Sequence, residues 1–138
     1  MVFSSHLFLF YFLPFLPHMI DAAKKKGATL VVVRHKSREF AEDPEDKQPV
    51  RQQVIPLMKQ YRRDMAAYIS ERGMVFLDYE LDPRLKLEHY GNGSHLNRGA
   101  GRTLWTQLMA EDLGALLEGK PAPHQLGAPA KGAGRKAK

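Results

Sequence analysis

The chain has 138 residues, of which 43% are hydrophobic and 26% are charged, and it contains no cysteine. This length accommodates one domain with a hydrophobic core, and the missing cysteine excludes disulfides, thiol catalysis and cysteine-ligated zinc sites. The formal net charge is +6. Four of the positive charges lie in a C-terminal segment that has no acidic residue: Lys131, Arg135, Lys136 and Lys138. The remaining chain is nearly balanced, so no basic face predicts a nucleic-acid partner.

Residues 1–17 form an apolar, aromatic-rich segment interrupted by Pro14 and Pro17. The segment is shorter than the about 20 apolar residues that a membrane-spanning helix needs. It also lacks the positive start and the small-residue cleavage site of a signal peptide. Residues 7–13 have the length of a strand that is buried on both faces. Three interpretations therefore stand side by side: a buried strand, a membrane-targeting segment, or a start that is not native sequence.

The middle of the chain predicts a parallel strand–helix–strand unit. A short helix between Pro17 and Gly27 precedes an unalternating β-branched strand at residues 28–34, which is typical of parallel strands covered on both faces. The run Arg34-His35-Lys36 stands at the C-terminal end of this strand, where open α/β sheets usually place their ligands. Residues 50–72 have apolar positions at helical spacing, with Pro56 predicting a kink or a later start. A second buried strand at residues 74–78 completes a right-handed crossover.

Two carboxylates, Asp78 and Asp82, lie at the end of the second strand or just beyond it. Asp82-Pro83 is also a common turn-forming pair, and we favour that interpretation for Asp82. A final amphipathic helix is predicted from Arg102 to about Leu117, burying Leu104, Trp105, Leu108, Met109 and Leu116. Residues 119–138 are rich in Pro, Ala, Gly and Lys, and their composition predicts a disordered basic tail.

A glycine-rich loop, Tyr90-Gly-Asn-Gly-Ser-His-Leu-Asn-Arg-Gly-Ala-Gly101, precedes the final helix. Asn97 is a natural helix cap, because its side-chain oxygen can accept from the first free N–H groups. His95 is thereby expected on an exposed loop held by a rigid element, a common setting for functional histidines. The alternative is an ordinary solvated loop histidine.

The pattern His-Leu-Asn-x-x-Gly followed by an amphipathic helix resembles the last conserved block of the SGNH hydrolases, the GDSL-like esterases and acyltransferases. His95 falls on the family's catalytic histidine, and Asn92 stands at the position of the acid that orients it. The resemblance covers roughly residues 15–118, and residues 18–118 are assigned to a partial SGNH-like domain. It implies a flavodoxin-like three-layer αβα fold with a parallel sheet, incomplete at its N-terminus. It implies a small-molecule or carbohydrate ester as substrate, and no cofactor or metal ion.

The family's serine block and its Gly-x-Asn block are not visible in this sequence. Asn92 can hold an imidazole in place, but an amide cannot stabilise imidazolium by charge, unless Asp78 or Asp82 substitutes as the acid. Two functions therefore compete: the C-terminal portion of an ester hydrolase or acyltransferase, and a non-catalytic α/β binding module or truncated remnant of that family. Membrane association, oligomeric state and compartment, whether cell envelope, periplasm or cytoplasm, stay open.

Overall fold

The computed structural model describes residues 15–38, 41, 49–92 and 95–127. The interpretations of residues 1–14 lie outside these ranges. The described residues contain three long helices, a three-stranded sheet and a short 3₁₀ helix. In chain order they are α1 (Leu16–Lys25), β1 (Val31–Arg34), α2 (Pro49–Glu71), β2 (Val75–Asp78), the 3₁₀ helix (Leu87–His89), α3 (Ala100–Leu117) and β3 (Gln125–Leu126). None of the described helices combines the length and apolarity needed to cross a bilayer.

The predicted parallel unit is confirmed. β1 pairs with β2 in parallel, from Val31 opposite Val75 to Arg34 opposite Asp78, and α2 connects the two strands. α2 begins at Pro49 and includes Pro56, so Pro56 does not delay the start of the helix. The expected α/β class is therefore correct at this level.

The expectation of a purely parallel sheet is wrong, because a third strand runs antiparallel. The order is β1-β2-β3, and β3 places Leu126 opposite Phe76 and Gln125 opposite Leu77. This strand comes from the segment after α3, which its composition had assigned to disorder. The sheet of the described residues is thus small and mixed.

Two apolar clusters pack against opposite faces of β2, as the two-residue period of a strand requires. Phe76 packs with Ile20 of α1 and Ile69 of α2 in the first cluster. Leu77 packs with Leu108 of α3 in the second, and Leu77 and Leu108 are fully buried. The predicted apolar face of α3 is confirmed, since Leu104, Trp105, Met109 and Leu116 pack around this second cluster.

Residues 120–127 are ordered, which corrects the predicted disorder for this part of the C-terminal segment. Ala122 is buried in the second cluster, and the Lys120 N–H donates to the Ala115 carbonyl at 2.9 Å. Gly127 adopts a φ of 90°, a conformation that favours glycine. Backbone pairing and polar anchoring hold this segment, so its scarcity of large apolar residues was misleading. Residues 128–138 lie outside the described part of the chain.

Candidate functional site

A cavity of about 710 Å³ opens beside the glycine-rich loop and the start of α3. Its described lining consists of His35, Gly91, Asn92, His95, Leu96, Asn97, Arg98 and Arg102. His35 follows β1 directly, so the cavity lies by the carboxyl end of that parallel strand. The structure thus brings His95 and Asn92 to one cavity, together with a histidine from the first strand end.

Backbone hydrogen bonds close the loop around this cavity. The Gly91 N–H donates to the His95 carbonyl at 2.7 Å, and the Asn97 N–H donates to the His89 carbonyl at 2.9 Å. Tyr90 and Leu96 form an isolated antiparallel bridge. Residues 93 and 94, including Ser94, are outside the described ranges. These bonds therefore fix the backbone on either side of residues 93 and 94, while the Asn92 and His95 side chains are exposed.

Asn97 ties the loop to the helix through its side-chain oxygen, as predicted, although the cap position itself is Gly99 and not Asn97. Its side-chain oxygen accepts from the Gly101 N–H at 2.8 Å, and its amide nitrogen donates to the Glu88 carbonyl at 2.6 Å. Gly101 is required here because a Cβ at this position would lie 2.0 Å from the His89 carbonyl oxygen. The loop and α3 therefore form one closely packed support for His95.

His35 is half-buried at the inner side of the cavity. Its ring centroid lies 4.8 Å from that of Trp105 and 6.1 Å from that of Tyr90. Burial lowers the pKa of His35, and this outweighs the hydrogen bond with the Lys36 backbone, which raises it. Burial therefore favours the neutral form of the His35 imidazole.

Asp78, one candidate acid, belongs to a buried cluster of two carboxylates and two arginines. Arg62 Nε lies 2.9 Å from Asp78 Oδ2, Arg34 Nη1 lies 3.7 Å from the same oxygen, and both guanidinium groups also pair with Glu80. Burial raises the pKa of Glu80, although Arg34 and Arg62 act in the opposite direction. Asp78 thus joins β1, β2 and α2, and no described contact links it to His95.

Asp82, the other candidate acid, is held by Arg84 and by a histidine that the sequence did not suggest. The Arg84 backbone N–H donates to Asp82 Oδ1 at 2.8 Å, and its guanidinium donates to Oδ2 at 2.8 Å. Burial opposes ionisation of Asp82, but the bonds from Arg84 and His124 outweigh it and lower its pKa to about 2. The carboxylate also forms the turn predicted for Asp82-Pro83, and within the described residues it does not contact His95.

The histidine on Asp82 is His124, which lies between two buried carboxylates. Its Nε2 is 2.6 Å from Asp82 Oδ2, and its Nδ1 is 2.7 Å from Asp112 Oδ2. The His124 backbone N–H donates to Asp112 Oδ1 at 2.9 Å. The Tyr79 hydroxyl donates to Asp112, and the Tyr79 ring stacks on His124 at 4.3 Å. This His124 cluster (Tyr79, Asp82, Asp112, His124) connects β2, α3 and the C-terminal segment.

Asp112 and His124, two members of the His124 cluster, differ in how visible they were in the sequence. Asp112 lies four residues after Leu108 and four before Leu116, so a carboxylate interrupts the apolar stripe of α3. A carboxylate in a buried apolar stripe needs polar partners. The position of Asp112 in the sequence was therefore a signal of a buried polar contact. His124, in a Pro-rich segment, had no comparable signal. A second cavity of about 440 Å³ borders Asp82 and His124, but their side chains are already bonded within the protein.

The described residues offer no group of three or more His, Asp or Glu side chains arranged to hold a metal ion. Comparisons of the chain with protein-family models, with curated proteins and with solved structures found no match. The resemblance to the SGNH hydrolases therefore rests on the residues of the His95 loop.

Proposed function

We propose that the chain is a binding module of SGNH-type ancestry, in which the His95 cavity holds a small-molecule or carbohydrate ester with little or no turnover. The observation that carries this proposal is the composition of the cavity. Its described lining provides imidazoles, amides and guanidinium groups. No hydroxyl nucleophile and no carboxylate is among these described side chains.

Ester hydrolysis by a histidine requires more than the imidazole itself. The base must lie within hydrogen-bonding reach of a nucleophile, and a third group must orient it. Asp78 and Asp82, the acids considered from the sequence, are bonded to Arg62, Arg84 and His124 instead. The two aspartates therefore contribute to internal packing, and Asn92, at the family's acid position, shares the cavity with His95.

A second candidate function is ester hydrolysis or acyl transfer with a nucleophile from outside the described residues. It is favoured by the shared cavity of His95 and Asn92, which occupy the family's histidine and acid positions in the resemblance. Burial also lowers the pKa of His35 in the same cavity, which favours the neutral form that can accept a proton. The two functions differ in one measurable property, which is turnover that depends on His95.

The test compares the purified full chain with the His95→Ala variant on an activated acetyl ester, alongside a serine-reactive phosphonate probe. We expect turnover close to the uncatalysed rate in both proteins and no stoichiometric labelling, because removing one member of a nucleophile–base unit costs about as much as removing all of it. Binding is followed through Trp105, the single tryptophan of the chain, which contacts His35 in the cavity. O-acetylated neutral and acidic monosaccharides are expected to change its fluorescence, and the change should be weaker in His95→Ala.

Robust turnover that disappears in His95→Ala, with one serine labelled, would show that the chain is an ester hydrolase and not a non-catalytic binding module. Absence of binding by every acetylated monosaccharide, together with absence of turnover, would reject both functions for this cavity.

A further inference from the structure

Arg98 and Arg102 differ from Arg34, Arg62 and Arg84, because their guanidinium groups have no partner among the residues that the structure describes. Arg34, Arg62 and Arg84 each form ion pairs with carboxylates. In contrast, no hydrogen bond or ion pair engages the guanidinium groups of Arg98 and Arg102 in the part of the chain that the structure describes. Both residues are exposed, and both line the His95 cavity. Two positive charges that no described residue compensates thus lie at one cavity.

The other side chains around these arginines do not neutralise them. The remaining described lining consists of histidines, asparagines, a leucine and a glycine. Asn92 and His95 are exposed at the same opening and can donate hydrogen bonds. The carboxylates nearest to them in sequence, Glu88 and Glu111, are not among the lining residues. The described surface of this cavity is therefore cationic and rich in donors.

The positive character of the cavity comes from side chains rather than from the start of α3. The Gly101 N–H is already bonded to the Asn97 side chain, and the Arg102 N–H to the Asn97 carbonyl at 3.2 Å. A helix start whose amides are satisfied in this way has little left to offer an anion. Guanidinium groups, in contrast, present several donors in a planar fork that matches carboxylate, phosphate and sulfate oxygens.

From this arrangement we infer that the His95 cavity recognises an oxyanion group, a carboxylate or a phosphoryl or sulfuryl group, through Arg98 and Arg102. The inference rests on the proposed function and deepens it, because it names the ligand class: an acidic ester or acidic sugar instead of a neutral one. Arg98 and Arg102 bind the oxyanion, while Asn92 and His95 contact the uncharged part of the ligand.

The test measures binding to the full chain by Trp105 fluorescence and by NMR shift perturbation. The probes are D-glucuronate, inorganic phosphate, inorganic sulfate and, as the neutral counterpart, D-glucose. Binding by the wild type is compared with the double variant Arg98→Gln/Arg102→Gln. Arg63→Gln is the matched control, since Arg63 is an exposed arginine of α2 whose guanidinium donates to Gln60 and does not line the cavity. Because all three arginines are exposed, the variants should fold like the wild type.

We expect at least one anion to bind more tightly than glucose and to lose about tenfold or more in affinity in the double variant, but not in Arg63→Gln. Binding should also weaken as ionic strength rises from about 0.1 M to about 1 M, since the Debye length shortens from about 10 Å to about 3 Å. Binding of glucuronate alone identifies a carboxylate as the ligand group. Binding of phosphate or sulfate alone identifies a phosphoryl or sulfuryl group.

Three results would overturn the inference: no binding of any anion up to about 10 mM, equal binding of glucuronate and glucose, or affinities unchanged in the double variant. Failure of the proposed function has a different pattern. If O-acetylated neutral sugars bind in a way that depends on His95 but not on the arginines, oxyanion recognition is contradicted and the proposed binding module is supported. If anions bind through the arginines and ester turnover depends on His95, the non-catalytic binding module is contradicted and oxyanion recognition is supported.

Discussion

Two histidines of this chain occupy opposite kinds of environment. His95 is exposed on a glycine-rich loop, and the guanidinium groups of its neighbours Arg98 and Arg102 have no described partner. The His124 side chain is 12% exposed and is bonded through both ring nitrogens to buried carboxylates. The first region keeps its polar groups available, whereas the second uses nearly all of them within the protein.

This difference indicates that the His124 cluster serves stability, whereas the His95 cavity is available for binding. Buried polar groups are costly unless they are paired, and a fully paired network joins the elements that supply it. The His124 cluster takes its members from the end of β2, from α3 and from the C-terminal segment, so its bonds hold these parts together. Unpaired donors at the His95 cavity remain open to a ligand. The histidine with more contacts is consequently the structural one, and the histidine with fewer is the candidate for function.

The same substitution at both histidines gives the largest expected effect. His124→Ala leaves Asp82 and Asp112 buried with fewer partners, and we expect it to lower the free energy of unfolding by about 3–5 kcal/mol. His95→Ala removes an exposed side chain and should change this free energy by less than about 0.5 kcal/mol. Urea unfolding followed by circular dichroism measures both values.

Equal losses in the two variants would contradict the distinction between a structural and an available histidine. Glu111→Ala serves as a further control in α3, because Glu111 is exposed and pairs with the partly exposed Arg84 at 3.1 Å. Its expected cost is below about 1 kcal/mol.

The next effect is the pH dependence that Asp82 contributes. Its pKa is lowered from 3.8 to about 2, so the folded state binds this proton less readily than the unfolded state does. The resulting stabilisation is fully present above about pH 5 and is lost as the pH falls from about 4 to about 2; the shift corresponds to about 2 kcal/mol. Unfolding free energies of wild type and Asp82→Asn, measured from about pH 5 downwards, should therefore converge. A difference that stays constant over this range would show that Asp82 does not gain stability from ionisation.

A smaller pair of effects concerns two glycines of α3. Gly101→Ala places a methyl group against the His89 carbonyl and should cost about 1 kcal/mol or more. A Cβ at Gly114 would meet no neighbouring atom within 4 Å, so Gly114→Ala should stabilise the helix by about 0.5–1 kcal/mol. Thermal unfolding of the two variants measures both changes. Stabilisation by Gly101→Ala would show that the His95 loop is not packed tightly against α3.

Local patterns were sufficient for much of the fold and for part of the site. The unalternating strands, the amphipathic α2 and α3 and the bond between Asn97 and the first turn of α3 follow from period and propensity, because neighbouring residues decide them. The His95 loop was likewise visible as a run of glycines before a helix. The partners of Asp78 and Asp82 were not visible in the sequence. Arg62 lies 16 positions from Asp78, and His124 lies 42 positions from Asp82. The order of residues 120–127 was also missed, because it depends on contacts to Asp112 and β2 rather than on apolar composition.

By itself, the sequence determined the α/β class, the parallel unit of β1 and β2 and the position of His95 before α3, since these depend on regularities within one segment. The tertiary structure alone decided that the third strand is antiparallel, that both candidate acids are bonded elsewhere, and that His124 is buried between Asp82 and Asp112. It also decided that Arg98 and Arg102 meet His35 at one cavity. Each of these depends on which distant segments pack together, and a buried charge accepts only the partner that packing brings within hydrogen-bonding distance.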